Sequence, residues 1–193
     1  MGPDREVSPW NIANLLTMLR ILMVPVFMWM FLQEGTAMRV GATAVFVLAA
    51  LTDKLDGHLA RSRGLITNLG KILDPIADKA LVIAALVVLS VDGLVPWWVT
   101  VVIIVRELGI TVMRFFMIRR QVMAASRGGK LKATLQMVFI VGMLVPWDAF
   151  LPGTLATLLS ITAIVLMYLA VAVTLWTGAQ YVVDAVRISR AHR

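Results

Sequence analysis

Cysteine is absent from this chain of 193 residues. Its absence excludes a disulfide framework, a thiolate metal site and a thiol nucleophile. Charge is scarce as well. Asp, Glu, Lys and Arg make up 15% of the residues, where a soluble domain carries about 25%. With 60% hydrophobic residues, this is too apolar for an ordinary water-soluble domain, and disorder, which needs low hydrophobicity and high charge, is excluded. No basic flank leads into a short apolar core and cleavage site at the N-terminus, so no signal peptide is expected. A soluble domain, a low-complexity segment and an internal repeat are also missing.

What is present is a series of long uncharged runs. Several approach or exceed the roughly 20 residues that cross a bilayer as a helix. The first expected span runs from about Asn11 to Phe31 and is interrupted only by Arg20. The second runs from Val40 to Leu59, the third from Leu69 to Asp92, and the fourth from Val95 to Phe116. The fifth runs from Ala133 to Pro146, and the sixth comes from Ala149–Val183, broken near its start by Pro152-Gly153. The expected fold class is an all-α membrane protein. It is a six-transmembrane-helix bundle formed by one integral-membrane domain over residues 1–193.

Six spans place both termini on one side. On that side, or in helix ends facing it, lie Arg5, Arg20, Lys54, Arg61, Arg63, Lys71, Lys79, Arg106, Arg114, Arg119, Arg120, Arg127, Lys130, Lys132, Arg187, Arg190 and Arg193. Arg39 alone lies on the other. This asymmetry makes the crowded side, with both termini, cytoplasmic. It also accounts for the net charge of +7 without invoking nucleic acid.

Ionisable groups inside a membrane are costly and mark functional sites. Asp53 and Asp56 stand three apart near the end of the second span; Asp74 and Asp78 stand four apart in the third. Each pair therefore shares a helix face. At ~1.5 Å per residue, Asp53 lies ~20 Å along its helix from Val40 and Asp78 ~13 Å from Leu69, so the pairs reach similar depth on antiparallel neighbours. Four anions in a low dielectric need compensation. Oxygen donors of this kind suit Mg²⁺, Mn²⁺ or Ca²⁺ rather than Zn²⁺. Two such ions can clamp the attacking and leaving oxygens of a phosphoryl substitution. The alternative for any one Asp is interhelical hydrogen bonding. Nearby, Gly57 and Ala60 leave room for a ligand, Arg61 and Arg63 can neutralise phosphate, and Gly70 opens a helix whose N-terminus favours anions. His58 and His192 have no partner that the sequence can name.

Residues 53–78 read DKLDGHLARSRGLITNLGKILDPIAD. They fit D-x2-D-G-x2-A-R-x8-G-x3-D-x3-D at every fixed position: Asp53, Asp56, Gly57, Ala60, Arg61, Gly70, Asp74 and Asp78. The chain thereby resembles the CDP-alcohol phosphotransferases, whose six-helix bundle and cytoplasm-facing site cover its whole length. Four further stretches resemble the branch that uses glycerol 3-phosphate: NLLTMLRILMVP at 14–25, WWVTVVIIVRELGITVMR at 97–114, GKLKATLQM at 129–137 and TLWTGAQYV at 174–182. A branch that takes phosphatidylglycerol as acceptor is the close competitor.

The resemblance implies transfer of a phosphatidyl group from CDP-diacylglycerol to glycerol 3-phosphate, with CMP released. It implies Asp53, Asp56 and Asp74 as ligands of Mg²⁺ or Mn²⁺, two ions in all. Asp78 would be the general base, a further ligand, or both. Gly57, Ala60 and Arg61 would line the cytidine diphosphate site. A homodimer in a bacterial inner membrane, working at the cytoplasmic face among membrane lipids, is implied too. Asn14 and Thr17, three apart, are additional candidate contacts, or else a helix cap and interhelical hydrogen bonds. The acceptor brings its own phosphate, so a cationic pocket is expected from Arg106, Arg114, Lys130 and Lys132. For Arg106, an intramembrane pair with Glu107 is the alternative. Intramembrane carboxylates also occur in cation or proton transporters. A carrier, however, would place them near the midplane between repeated halves, and no repeat is present.

Overall fold

The computed structural model describes residues 11–62, 67–117 and 127–191. Among these residues there are six α-helices: α1 (Ile12–Phe31), α2 (Thr36–Ser62), α3 (Asn68–Val91), α4 (Trp97–Met117), α5 (Arg127–Leu144) and α6 (Gly153–Ala191), with a single 3-10 turn at Trp147–Ala149. Each falls on one of the expected runs. The helices overrun the apolar segments where polar residues continue the turn. Thus α2 begins at Thr36 rather than Val40, α5 at Arg127 rather than Ala133, and α6 continues to Ala191. A hydropathy boundary marks where lipid contact ends, and a helix needs no lipid to continue its hydrogen bonds.

Among the described residues, three helices are long and apolar enough to cross a membrane: Asn14–Phe31, Thr36–Asp53 and Gly153–Tyr181. Only 28%, 22% and 28% of these segments is buried inside the protein, so most of their apolar surface needs an apolar surrounding. Leu22, Trp29, Leu48 and Trp176 lie on that outer surface. Within α3 and α4 the apolar run is interrupted by Asp74, Asp78 and Lys79, and by Arg106, Glu107 and Arg114. The expectation of six spans rests on reading those charges as a site within a bundle.

The chain divides into two compact units. The first comprises residues 1–88 with 144–146. Asn11 caps α1, accepting the Asn14 backbone N–H at 3.0 Å. Gly35, at φ +102°, turns the chain into α2, a conformation that a side chain would disfavour. α1 packs along α2, and Phe27 is the centre of the seam: its ring lies 5.5 Å from Phe46 and 6.1 Å from Phe31. Ala42 and Ala49, buried on α2, let the backbones approach. Thr43 donates its hydroxyl to the Leu144 carbonyl at 3.1 Å.

The second unit comprises residues 89–143 and 147–193. Here α3 ends in a glycine cap. Gly93, at φ +77°, donates to Ser90 O, and Leu94 donates to Leu89 O at 3.0 Å, the paired bonds of a Schellman motif. The hydroxyls of Ser90 and Thr100 meet at 2.6 Å, both buried. α4 packs on α6, where Trp98 stacks on Tyr168 at 6.2 Å. Gly142 of α5 admits Ala163 of α6 so closely that a Cβ there would sit 2.9 Å from the alanine methyl.

Candidate active site

In the first unit α1 presents a polar row to the carboxylates. Asn14, Thr17 and Arg20 recur every three residues, and all three are buried, with Arg20 wholly inaccessible. Each reaches a different partner. The Arg20 guanidinium forms an ion pair with Asp53 of α2, Nη1 to Oδ1 at 2.6 Å. The Thr17 hydroxyl donates to Asp74 Oδ1 of α3 at 2.8 Å. Asn14 donates through Nδ2 to Thr67 Oγ1 at 2.8 Å.

Thr67 is the N-cap of α3: its hydroxyl oxygen accepts the Gly70 N–H at 3.0 Å, satisfying a donor that the helix start leaves unpaired. Gly70 has a second reason to be glycine. A Cβ at this position would lie 2.7 Å from Asn14 Oδ1, closer than any real side chain tolerates. The glycine that the sequence assigns to an anion-favouring helix start is thus also the point where α1 closes on α3.

Asp53, Asp74 and Asp78 come from two helices, and Asp53 lies within electrostatic range of both others. Asp53 and Asp74 are partly buried, while Asp78 is exposed. Among the described residues these carboxylates do not draw together into a ready three-donor cluster. The fourth, Asp56, stands one helical turn beyond Asp53 on α2, with its side chain outside the described residues, as are those of Gly57, Ala60 and Arg61. The donors are hard carboxylate oxygens, and each of the two pinned carboxylates engages its α1 partner through one oxygen of two. That chemistry fits a hard divalent cation.

The second unit holds a separate group of buried charges. Glu107 of α4 is flanked by Arg106 Nη1 at 3.4 Å and by an ion pair with Lys132 of α5. Arg106 also donates through Nη2 to Thr177 Oγ1 of α6 at 3.0 Å. Lys132 is 4% exposed and Gln136, one turn further along α5, equally so. Among the described residues, Gln136 Oε1 and the buried Thr174 Oγ1 have no hydrogen-bond partner. Two cations around one anion leave a positive excess in a low dielectric. Such an excess favours an incoming anion. Arg114 and Lys130 lie on α4 and α5 with their side chains outside the described residues, and Arg5, Arg63, Arg119, Arg120 and His192 are also outside them.

Sequence reasoning gave Arg20 no part in the site, treating it as an interruption of the first span and one of the cations that set orientation. The available signal was its place in the row Asn14, Thr17, Arg20, since three polar residues on one face of an apolar helix need partners on neighbouring helices. Thr67 and Gln136 carried no comparable signal. A threonine before a helix and a glutamine in a basic segment are ordinary surface residues until a fold buries them.

Four motif carboxylates stand on α2 and α3, and two of them, Asp53 and Asp74, are held by side chains of α1. The sequence profile of the CDP-alcohol phosphatidyltransferase family matches residues 10–176, and the chain belongs to that family. It is 47% identical over 180 residues to a protein of Mycobacterium tuberculosis named probable phosphatidylglycerophosphate synthase, an alignment covering 92% of this chain and 82% of the relative. It is 35% identical to the CDP-diacylglycerol–glycerol-3-phosphate 3-phosphatidyltransferases of Haemophilus influenzae, covering 89% of this chain and 91% of the relative, and of Escherichia coli K12, covering 89% and 93%.

Proposed function

We infer that the chain transfers the phosphatidyl group of CDP-diacylglycerol to glycerol 3-phosphate, yielding phosphatidylglycerophosphate and CMP. The observation that carries this reading is the complete family motif on α2 and α3, with Asp53 and Asp74 each held by a side chain of α1. Its relatives at 35–47% identity carry the name of that activity.

Asp53, Asp56, Asp74 and Asp78 would hold two divalent ions, Mg²⁺ or Mn²⁺. When bound, these ions neutralise the diphosphate and stabilise charge on the reacting phosphoryl oxygens. Gly57, Ala60 and Arg61 receive the cytidine diphosphate. Asp78, exposed on α3, accepts the proton of the acceptor hydroxyl as its oxygen bonds to the β-phosphorus, and the phosphorus–oxygen bond to CMP breaks. Arg106, Arg114, Lys130 and Lys132 bind the acceptor's phosphate. The reading places six spans in the membrane, both termini in the cytoplasm, the site at the cytoplasmic face, and a homodimer as the working form.

An acceptor panel tests it. Purified protein in detergent with CDP-diacylglycerol and Mn²⁺ is assayed for CMP release. Glycerol 3-phosphate, phosphatidylglycerol, inositol phosphate and serine are compared, with Asp78→Asn as the blank. CMP release with glycerol 3-phosphate, lost in the blank, is the expected result. Release with phosphatidylglycerol alone moves the enzyme to cardiolipin synthesis. No release with any acceptor overturns the donor assignment and revives transport.

A further inference from the structure

We propose that α1 is the positioning arm of the metal site, with Arg20 and Thr17 each fixing one ligand carboxylate. The inference rests on the reading of Asp53 and Asp74 as ligands. It concerns residues outside the eight motif positions, and it gives Thr17 a role other than contacting the nucleotide.

The geometry is specific. Arg20 and Thr17 lie three apart, on one face of α1. One holds Asp53 on α2 and the other Asp74 on α3, so a single helix sets the spacing of carboxylates carried by two others. Both residues are buried, which restricts their alternative rotamers. Each contact takes one carboxylate oxygen, Oδ1, and a carboxylate has two, so neither aspartate is used up as a ligand. A pinned carboxylate has already lost the rotamer freedom that a free one must lose when a cation binds. Partners of this kind around metal ligands set affinity by about 10–100-fold.

Arg20 has a second consequence. Its guanidinium stays charged at any working pH, so it offsets part of the mutual repulsion of the aspartates before any cation arrives. The register of the arm is fixed at its other end, where Asn14 bonds Thr67 and closes over Gly70. A slide of α1 along its neighbours would break all three contacts together.

The test is Mn²⁺ binding to the full-length protein in detergent, followed by loss of the free-ion electron paramagnetic resonance signal, with thermal unfolding measured in parallel. Thr17→Val removes the hydroxyl and keeps the shape. Thr17→Ser keeps the hydroxyl. Arg20→Lys keeps the charge, and hence the field on a bound cation, but loses the fixed planar donor. The expected result is a dissociation constant for Mn²⁺ raised about tenfold in Thr17→Val and Arg20→Lys, within about twofold of wild type in Thr17→Ser, and a melting temperature of the metal-free protein close to wild type. Folded Thr17→Val and Arg20→Lys proteins that bind Mn²⁺ as wild type does overturn the proposal, leaving α1 a packing helix. If Thr17→Val fails to fold, Arg20→Lys decides alone. Failure of the underlying metal reading looks different: wild type then shows no saturable Mn²⁺ binding, or Asp53→Asn and Asp74→Asn bind it unchanged.

Discussion

The two units of this protein solve the burial of charge in opposite ways. The first carries the motif carboxylates Asp53, Asp56, Asp74 and Asp78, and the wholly buried Arg20 of α1 pairs with Asp53. In the second, Arg106 and Lys132 surround Glu107. The negative site is partly open, with Asp78 exposed, while Lys132 and its neighbour Gln136 are buried. On the proposed function, the acidic group receives the divalent cations and the basic group the acceptor's phosphate.

The contrast breaks first at Asp78. If the carboxylate takes the proton, Asp78→Asn lowers kcat by about 10²–10⁴-fold while the protein remains folded, as measured by CMP release beside a thermal melt. A variant with near-normal turnover would remove Asp78 from the chemistry. On the opposite side, Glu107→Gln leaves Arg106 and Lys132 without their shared anion. Removing one partner of a buried ion pair costs about 3–5 kcal/mol, so the main effect is on stability, read as a lower unfolding midpoint in detergent. An unchanged midpoint would mean that water reaches this group.

The comparison sharpens at Lys132→Gln, which takes away one cation and leaves Glu107 beside Arg106. A hydrogen bond to a charged group contributes about 1.5–3 kcal/mol, so the KM for glycerol 3-phosphate should rise at least about tenfold while that for CDP-diacylglycerol holds. Equal increases in both KM values would show that the second unit does not specialise in the acceptor. Gly70→Ala is smaller. The added methyl meets Asn14 Oδ1, and overpacking of this kind costs about 1–3 kcal/mol. The double variant Asn14→Ala/Gly70→Ala should regain stability relative to Gly70→Ala alone. The smallest effect is at Gly93→Ala, where a left-handed φ of +77° costs a side chain about 1 kcal/mol. It lies outside both charge groups and serves as the control for plain destabilisation.

Among the described residues, each helix falls on an apolar run that the sequence alone singled out, because helices satisfy their backbone within the segment. The sequence also picked out the aspartates, since ionised groups are so costly in such a chain that their presence and spacing carry information. It gave Arg106 to the acceptor's phosphate with a Glu107 pair as the alternative, and it is the pair that is present, at 3.4 Å. Adjacency in sequence was enough there. Helix ends were less legible, as in α5, where Arg127–Lys132 extends the helix beyond its apolar run. Only the tertiary structure could assign Arg20 to Asp53, Thr17 to Asp74, Asn14 to Thr67 and Lys132 to Glu107. Three of these pairs join residues 33 to 57 positions apart, and the fourth joins residues 25 apart. Nothing in a helix's own periodicity records which face of which neighbour it will meet. That depends on how the helices rotate to bury their polar rows, and the rotation exists only once they are packed.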